Sequence, residues 1–188
     1  MDDDGQLSTR RLIESVLAGD REKFRELVEP LKDELFGLIV RQVGDATVAE
    51  DLTQETFLRA YRSLGKFQFQ ASFKTWVTRI ALNVVNTYFT SRAFRDRARS
   101  VPFEMKQHEA AANEYDPAAD KNTELLRAAI ASLGQKHRDV VTLCVLEERS
   151  YQEVSEILGI PIGTVGSRIH AALALLHSIL EGETDEAA

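Results

Sequence analysis

One cysteine, Cys144, stands in a chain of 188 residues, so no internal disulfide can form. No Cys/His set has the spacing of a structural zinc site, so neither staple supports the fold, and a reducing cytoplasm is the compartment that fits. Long apolar runs are missing too: stretches such as Val140 to Leu146 and Ala171 to Leu176 fall far short of the roughly 20 residues that span a bilayer. The chain opens on Asp2, Asp3 and Asp4, the opposite of a signal peptide's basic start. Export and membrane insertion are therefore not expected. A Gly-rich phosphate loop is lacking, and the four scattered histidines enter no recognisable Ser/His/Asp or Cys/His arrangement. An enzyme is accordingly a poor reading, and no cofactor is expected.

What is present suits a soluble, folding chain: 44% apolar and 28% charged residues with a mean hydropathy of -0.24. That balance excludes a collagen-like fibre and a disordered polyelectrolyte, and the length allows one ordinary domain or two small ones. A net charge of -7 argues against a general nucleic-acid coat. The charge is unevenly placed, however, with local balances of -4 over 1–40, +5 over 41–99, -3 over 100–122 and -5 over 123–188.

Between Glu55 and Asp96 there is no acid at all, while Arg59, Arg62, Lys66, Lys74, Arg79, Arg92 and Arg95 fall inside the interval. Nine of the fourteen aromatics lie there as well: Phe57, Tyr61, Phe67, Phe69, Phe73, Trp76, Tyr88, Phe89 and Phe94. Cations that track phosphates, interleaved with rings on which bases can stack, are what single-stranded nucleic-acid binding requires. The same composition also fits an aromatic core beneath a solvated basic face.

Helical periodicity dominates, which predicts an all-α protein. A first short helix is expected after Ser8, with Leu12, Ile13, Val16 and Leu17 on one face and Gly19 as its stop. A second starts after Asp20, bends at Pro30 and ends at Gly44. The third runs from Asp45 as cap to about Leu64, with Gly65 as its stop. The fourth follows Ser72 and buries Phe73, Trp76, Val77, Ile80, Ala81, Val84 and Tyr88. Together these make one lobe. Periodicity fades from about Val101 to Asn122, which reads as a tether, and a second lobe begins near Thr123.

In that second lobe Ser150-Tyr151-Gln152-Glu153 forms a capping box that starts a helix. The helix breaks at Gly159 and restarts after Pro161 with Thr164, Val165, Ile169, Leu173, Leu176 and Leu180 in register. Helix, tight turn and longer helix is the layout of a DNA-binding helix-turn-helix, although any small helical hairpin can imitate it. Gly163, Ser167, His170 and Ala174 point away from the apolar stripe and Arg168 sits at its margin, so these residues are candidates for a major groove.

On the third helix Asp51, Glu55, Leu58 and Arg62 share one face, with Gln54 alongside. Like charges four apart cost an isolated helix a few tenths of a kcal/mol, so a protein partner would explain them better than local stability does. A solvated face with an ordinary Glu55 to Arg59 pair is the alternative, and no ligand spacing marks a metal site.

Three runs in order resemble the extracytoplasmic-function (ECF) group of bacterial RNA polymerase sigma factors, in the sigma-seventy superfamily. They are Ala49 to Leu58, Phe73 to Asn83, and Ser150 to Val154 continued by Ile160 to Arg168. The resemblance implies an all-α fold of two small lobes joined by a flexible linker: a region 2 helical bundle over 1–100, a linker over 101–122 and a region 4 helix-turn-helix bundle over 123–188. It implies that Asp51, Gln54, Glu55, Leu58 and Arg62 dock on core RNA polymerase. Phe69, Ser72, Lys74, Trp76, Arg79, Asn83 and Asn86 would hold the unwound single strand of the minus-10 promoter element, with Gln70 and Ala71 in the loop around a flipped base. Thr164, Ser167 and Arg168 would read the duplex minus-35 element, His170 contributing when protonated.

An anti-sigma factor covering both lobes is the further partner implied. One departure stands out. Many relatives carry Lys or Arg where this chain has Gly166 and Ala171, which removes two phosphate anchors and implies weaker upstream binding. The rival from another class is a helix-turn-helix repressor whose first lobe only dimerises it. That reading leaves the acid-free aromatic interval unexplained.

Overall fold

The computed structural model describes residues 3–91 and 121–185, and among them every regular element is helical. Helix α1 (Asp3–Leu17) starts five residues before the expected Ser8. Its Ile13 and Val16 are buried, whereas Leu17 is exposed. Pro30 does more than bend the next segment: α2 (Lys23–Val28) gives way to a 3-10 turn at Glu29–Leu31 before α3 (Lys32–Val43) begins. Proline has no N–H to continue the ladder. Gly44 ends α3 in the left-handed region at φ 73°, a conformation glycine adopts without steric cost.

The caps of α4 and α5 fall where the sequence puts them. Asp45 accepts a hydrogen bond from the Val48 N–H at 3.0 Å and starts α4 (Ala46–Ser63). Ser72 accepts from the Thr75 N–H at 3.0 Å and starts α5 (Phe73–Thr90). The end of α4 runs into a 3-10 turn, Leu64–Lys66, with Gly65 inside it rather than in a left-handed stop. Helices α3, α4 and α5 pack on one another around Leu35, Ile39, Ala49, Ala60, Val77 and Ala81. Burying each large aliphatic side chain contributes about 1.5 to 3 kcal/mol. Trp76, Ile80 and Tyr88 are only half-buried, and Leu82 and Val85 take their places in the stripe.

The second lobe comprises α6 (Lys121–Ser132), α7 (Gln135–Val141) continued by a π-helical turn at Thr142–Leu146, α8 (Tyr151–Leu158) and α9 (Ile162–Asp185). Val140, Val154, Val165, Ile169, Ala172 and Leu176 form its centre. Leu173, expected in that stripe, is 47% exposed; Ala172 takes the buried position, because the contact with α7 follows Val165, Ile169, Ala172 and Leu176 at helical spacing. The tether expected over 101–122 lies almost wholly outside the described residues, as do Arg92, Phe94 and Arg95.

The lobes are pressed together. Helix α3 meets α6 and the π-helical turn, and α5 meets α8, so that the buried apolar residues form one continuous cluster.

Candidate nucleic-acid interface

Burial of Ala49, Thr53, Thr56 and Ala60 fixes the rotation of α4. Thr53 and Thr56 return their hydroxyl protons to the Ala49 and Leu52 carbonyls, each at 2.7 Å, so neither leaves a buried donor unmet. The opposite face is then set: Asp51, Gln54, Leu58 and Arg62 are exposed, and Glu55 is half-buried. Leu58, at 42% exposure, is an apolar side chain framed by polar ones, the pattern of a docking anchor. Arg59 donates from Nε to Glu55 at 2.7 Å, a surface pair worth a few tenths of a kcal/mol and easily exchanged for another partner.

Beside this face lies a cleft of about 680 Å³ that includes Phe24, Phe36 and Phe57 next to Gln54. Sequence reasoning misses it. Its three rings come from α2, α3 and α4, so no local period brings them together.

The loop before α5 holds the most unusual backbone of the first lobe. Phe69 sits at φ 57°, a left-handed conformation that is a genuine outlier for a bulky residue and often marks function. Its ring lies 4.7 Å from that of Phe67, under the Arg10 guanidinium at 4.6 Å, and is 40% exposed. Phe67 in turn touches Phe73 and Trp76, at 5.9 and 5.2 Å between centroids. Of the rings from the acid-free interval, Phe73 is thus buried and most of the others half-buried. Among the described rings of the interval, a cluster supports the loop, and Phe69 reaches solvent.

Along α5, Lys74, Arg79 and Asn83 are exposed and Asn86 half-buried; Lys74 shares a recess with Phe69 and Ser72, whereas Asn83 lies toward α4. Thr78, on the same helix, is buried at 4% exposure, its hydroxyl donating to the Lys74 carbonyl at 2.9 Å. Asn83 also shares a hollow of about 360 Å³ with Arg62, Arg59, Ser63 and Ile80, which joins the α4 face to the α5 face.

Neither cation of α5 is idle. Lys74 Nζ lies 2.6 Å from Glu34, and Arg149 donates to the same carboxylate. Burial works to raise the Glu34 carboxyl, but Lys74 and Arg149 outweigh it and hold the group below its ordinary value. Arg79 donates from Nε to the Ile157 carbonyl at 2.9 Å and from Nη2 to the Glu156 carbonyl at 2.7 Å.

In the second lobe the capping box is complete. Ser150 Oγ accepts from the Glu153 N–H at 3.3 Å, while the Glu153 carboxylate accepts from the Ser150 N–H at 2.9 Å. These bonds to Ser150 hold the Glu153 carboxyl below its usual value. Gly159 turns the chain at φ 65°, and α9 carries Ser167 and His170 fully outward with Thr164 and Arg168 half-buried. Arg168 is near enough to Asp139 of α7 to act on its charge. The candidate residues thus lie in three groups, on α4, on α5 with its preceding loop, and on α9.

Comparison with known proteins gives this arrangement a lineage. Residues 27–95 match the family model Sigma-70 region 2, and residues 123–176 match Sigma-70, region 4. The chain is 33% identical to the RNA polymerase sigma-H factor of Pseudomonas aeruginosa, over 94% of this chain and 95% of that one. It is also 33% identical to the ECF RNA polymerase sigma-E factor of Escherichia coli K12, over 89% of this chain and 91% of that one. Among solved structures, the sigma factor RpoE in complex with the anti-sigma factor NepR from Bartonella quintana aligns with a TM-score of 0.61. That match has 22% identity and covers 85% of this chain and 98% of that one, a likeness of fold. With both models in order and kinship running through nearly its whole length, the chain belongs to the ECF sigma factors of the sigma-70 family.

Proposed function

We propose that this protein is an alternative sigma factor that binds core RNA polymerase and directs promoter-specific initiation, working in the cytoplasm and under the control of an anti-sigma factor. The polymerization chemistry belongs to the polymerase; the sigma factor supplies recognition and strand opening. Residues 1–100 act as the polymerase-binding and minus-10 lobe, 101–122 as linker and 123–188 as the minus-35 lobe.

The carrying observation is the side of α5 and its preceding loop. There an outward ring at a left-handed backbone position, Phe69, adjoins Ser72 and Lys74, and Arg79 and Asn83 are exposed further along the helix, within a stretch that has no acid. Extruding a base from duplex DNA costs a few kcal/mol. Stacking on an aromatic ring returns about 1 to 3 kcal/mol per base, and cations add phosphate contacts. Trp76 acts from beneath by holding Phe67 in place, Asn86 extends the amide row, and Asp51, Gln54, Glu55, Leu58 and Arg62 anchor the polymerase alongside. Upstream, Thr164, Ser167, Arg168 and His170 face the minus-35 duplex.

The test is transcription in vitro with purified core enzyme on a promoter library, with permanganate footprinting of the selected templates. A sigma factor makes thymines reactive near minus-10 only when core enzyme is present. Binding to duplex without any reactive thymine, with or without core enzyme, would mark a repressor instead.

A further inference from the structure

We propose that α1 supplies a strand-binding residue: Arg10 closes over the Phe69 ring to form a clamp that holds one unpaired base of the opened promoter strand. This inference rests on the reading of the loop before α5 as part of the minus-10 surface.

Arg10 is exposed, and its guanidinium lies 4.6 Å from the centre of the Phe69 ring. It stands outside the acid-free interval, in the net acidic stretch 1–40, so composition does not group it with the strand-binding residues. Among the described residues its partner is the ring, not a carboxylate. A guanidinium stacked on a ring keeps its N–H donors available to phosphate oxygens.

Phe69 is the fixed half of the pair. Its backbone is left-handed at φ 57°, a conformation that persists only where the surroundings enforce it. The Phe67 ring backs it at 4.7 Å, and Phe67 rests on Trp76 at 5.2 Å and on Phe73 at 5.9 Å. Arg10 is the movable half, because a long side chain on an exposed helix face can lift without disturbing the packing. At 4.6 Å the pair is closed; a base enters by raising the guanidinium and is then stacked between it and the ring. Aromatic rings and guanidinium planes are both surfaces on which unpaired bases stack.

The surroundings leave room for a nucleotide. A recess of about 630 Å³ lies between α1, α2 and the loop, with Arg10, Phe67, Phe69 and Ser72 among its lining residues beside Leu12 and Leu27. Mostly apolar walls with a few polar groups, at this size, are typical of small-ligand sites. Glu26 also lines the recess, but Lys23 Nζ lies 2.5 Å from its carboxylate, so a cation offsets the charge that would repel phosphate. The clamp grips faces rather than edges, so it tolerates any base but requires that one be present.

The experiment uses holoenzyme, the full chain with core polymerase, on a promoter selected by transcription in vitro and built as a fork that is single-stranded through minus-10. Non-template nucleotides are replaced one at a time by an abasic sugar, and affinity is read by fluorescence anisotropy for wild type, Arg10→Ala, Arg10→Lys and Phe69→Ala. With wild type, loss of the clamped base should weaken binding about tenfold, as for one stacked base. In Arg10→Ala and Phe69→Ala that penalty should shrink to about twofold or less at the same nucleotide and stay unchanged elsewhere. Arg10→Lys should restore only part of it, since an ammonium keeps the charge but offers no plane.

An Arg10→Ala effect at no nucleotide, or equal at all of them, overturns the clamp, because a residue that merely supports the loop acts without regard to position. So does full recovery in Arg10→Lys. In these cases a position-specific effect of Phe69→Ala keeps the strand-binding reading alive. If Phe69→Ala also changes no abasic penalty, or no promoter is selected, that reading fails and takes the clamp with it.

Discussion

The guanidinium of Arg138 lies 3.7 Å from the centre of the Phe89 ring, joining α7 of the second lobe to the end of α5 in the first. The same side chain donates to the Leu133 and Ala131 carbonyls at 3.0 and 3.2 Å and is only 3% exposed. A cation buried this deeply is held by its hydrogen bonds and its ring. Arg138→Ala should cost about 3 kcal/mol in urea unfolding, because it removes a favourable charge from Asp139 and leaves two carbonyls without a donor. Arg138→Lys should recover little of this, since an ammonium cannot reproduce the planar fork. Full stability in Arg138→Lys would refute the geometric part of the argument.

Asp139 gives stability a characteristic pH dependence. Burial is the main cause that pushes its carboxyl up from 3.8 to about 6, against the opposing pull of the Gln42 hydrogen bond and the charges of Arg138 and Arg168. The folded chain therefore holds this proton more tightly than the unfolded chain does. Its contribution is fully present below 3.8 and is lost as pH rises through about 6, a loss of about 3 kcal/mol. The stability difference between wild type and Asp139→Asn, measured by urea unfolding across this window, should decline with rising pH and level off above it. A difference that stays flat, or rises, would contradict the burial argument.

Gly166 leaves room for a larger residue. It lies inside α9, and a side-chain carbon there would meet the Tyr151 ring at 3.8 Å, an ordinary contact. Gly166→Lys should improve helix stability by up to about 1 kcal/mol and strengthen minus-35 duplex binding. The log–log salt slope should steepen by about one. Unchanged affinity at low salt would place this turn of α9 away from the phosphates.

The α4 face should separate polymerase binding from folding. Leu58→Asp places a charge on a side chain already 42% exposed, so unfolding free energy should move by less than about 0.5 kcal/mol. Affinity for core polymerase should fall at least about tenfold, as expected for an anchor. Equal core binding by Leu58→Asp and wild type would remove this face from the polymerase contact.

Local signals in this chain were legible because their causes are local. Asp45, Ser72 and Ser150 each supply a side-chain oxygen to an N–H three residues on, and Gly44 and Gly159 each relieve a left-handed turn. The exposed α4 face followed from helical geometry alone. Ser8 misled because an acceptable cap need not be used when the helix continues past it toward the N-terminus. Leu173 misled because the width and position of a buried stripe depend on which neighbour covers it.

By itself the sequence determined the helical class, the caps of α4, α5 and α8 and the family to which the chain belongs, since these rest on spacing and side-chain type. Tertiary structure alone decided what the α5 cations touch. Arg79 reads along the chain as a free positive charge, yet its partners are the backbone carbonyls of Glu156 and Ile157, 77 and 78 positions away. Every residue carries a carbonyl, so such an acceptor leaves no mark in the sequence. Only the fold, by ending α8 against α5, makes those two oxygens into a binding site.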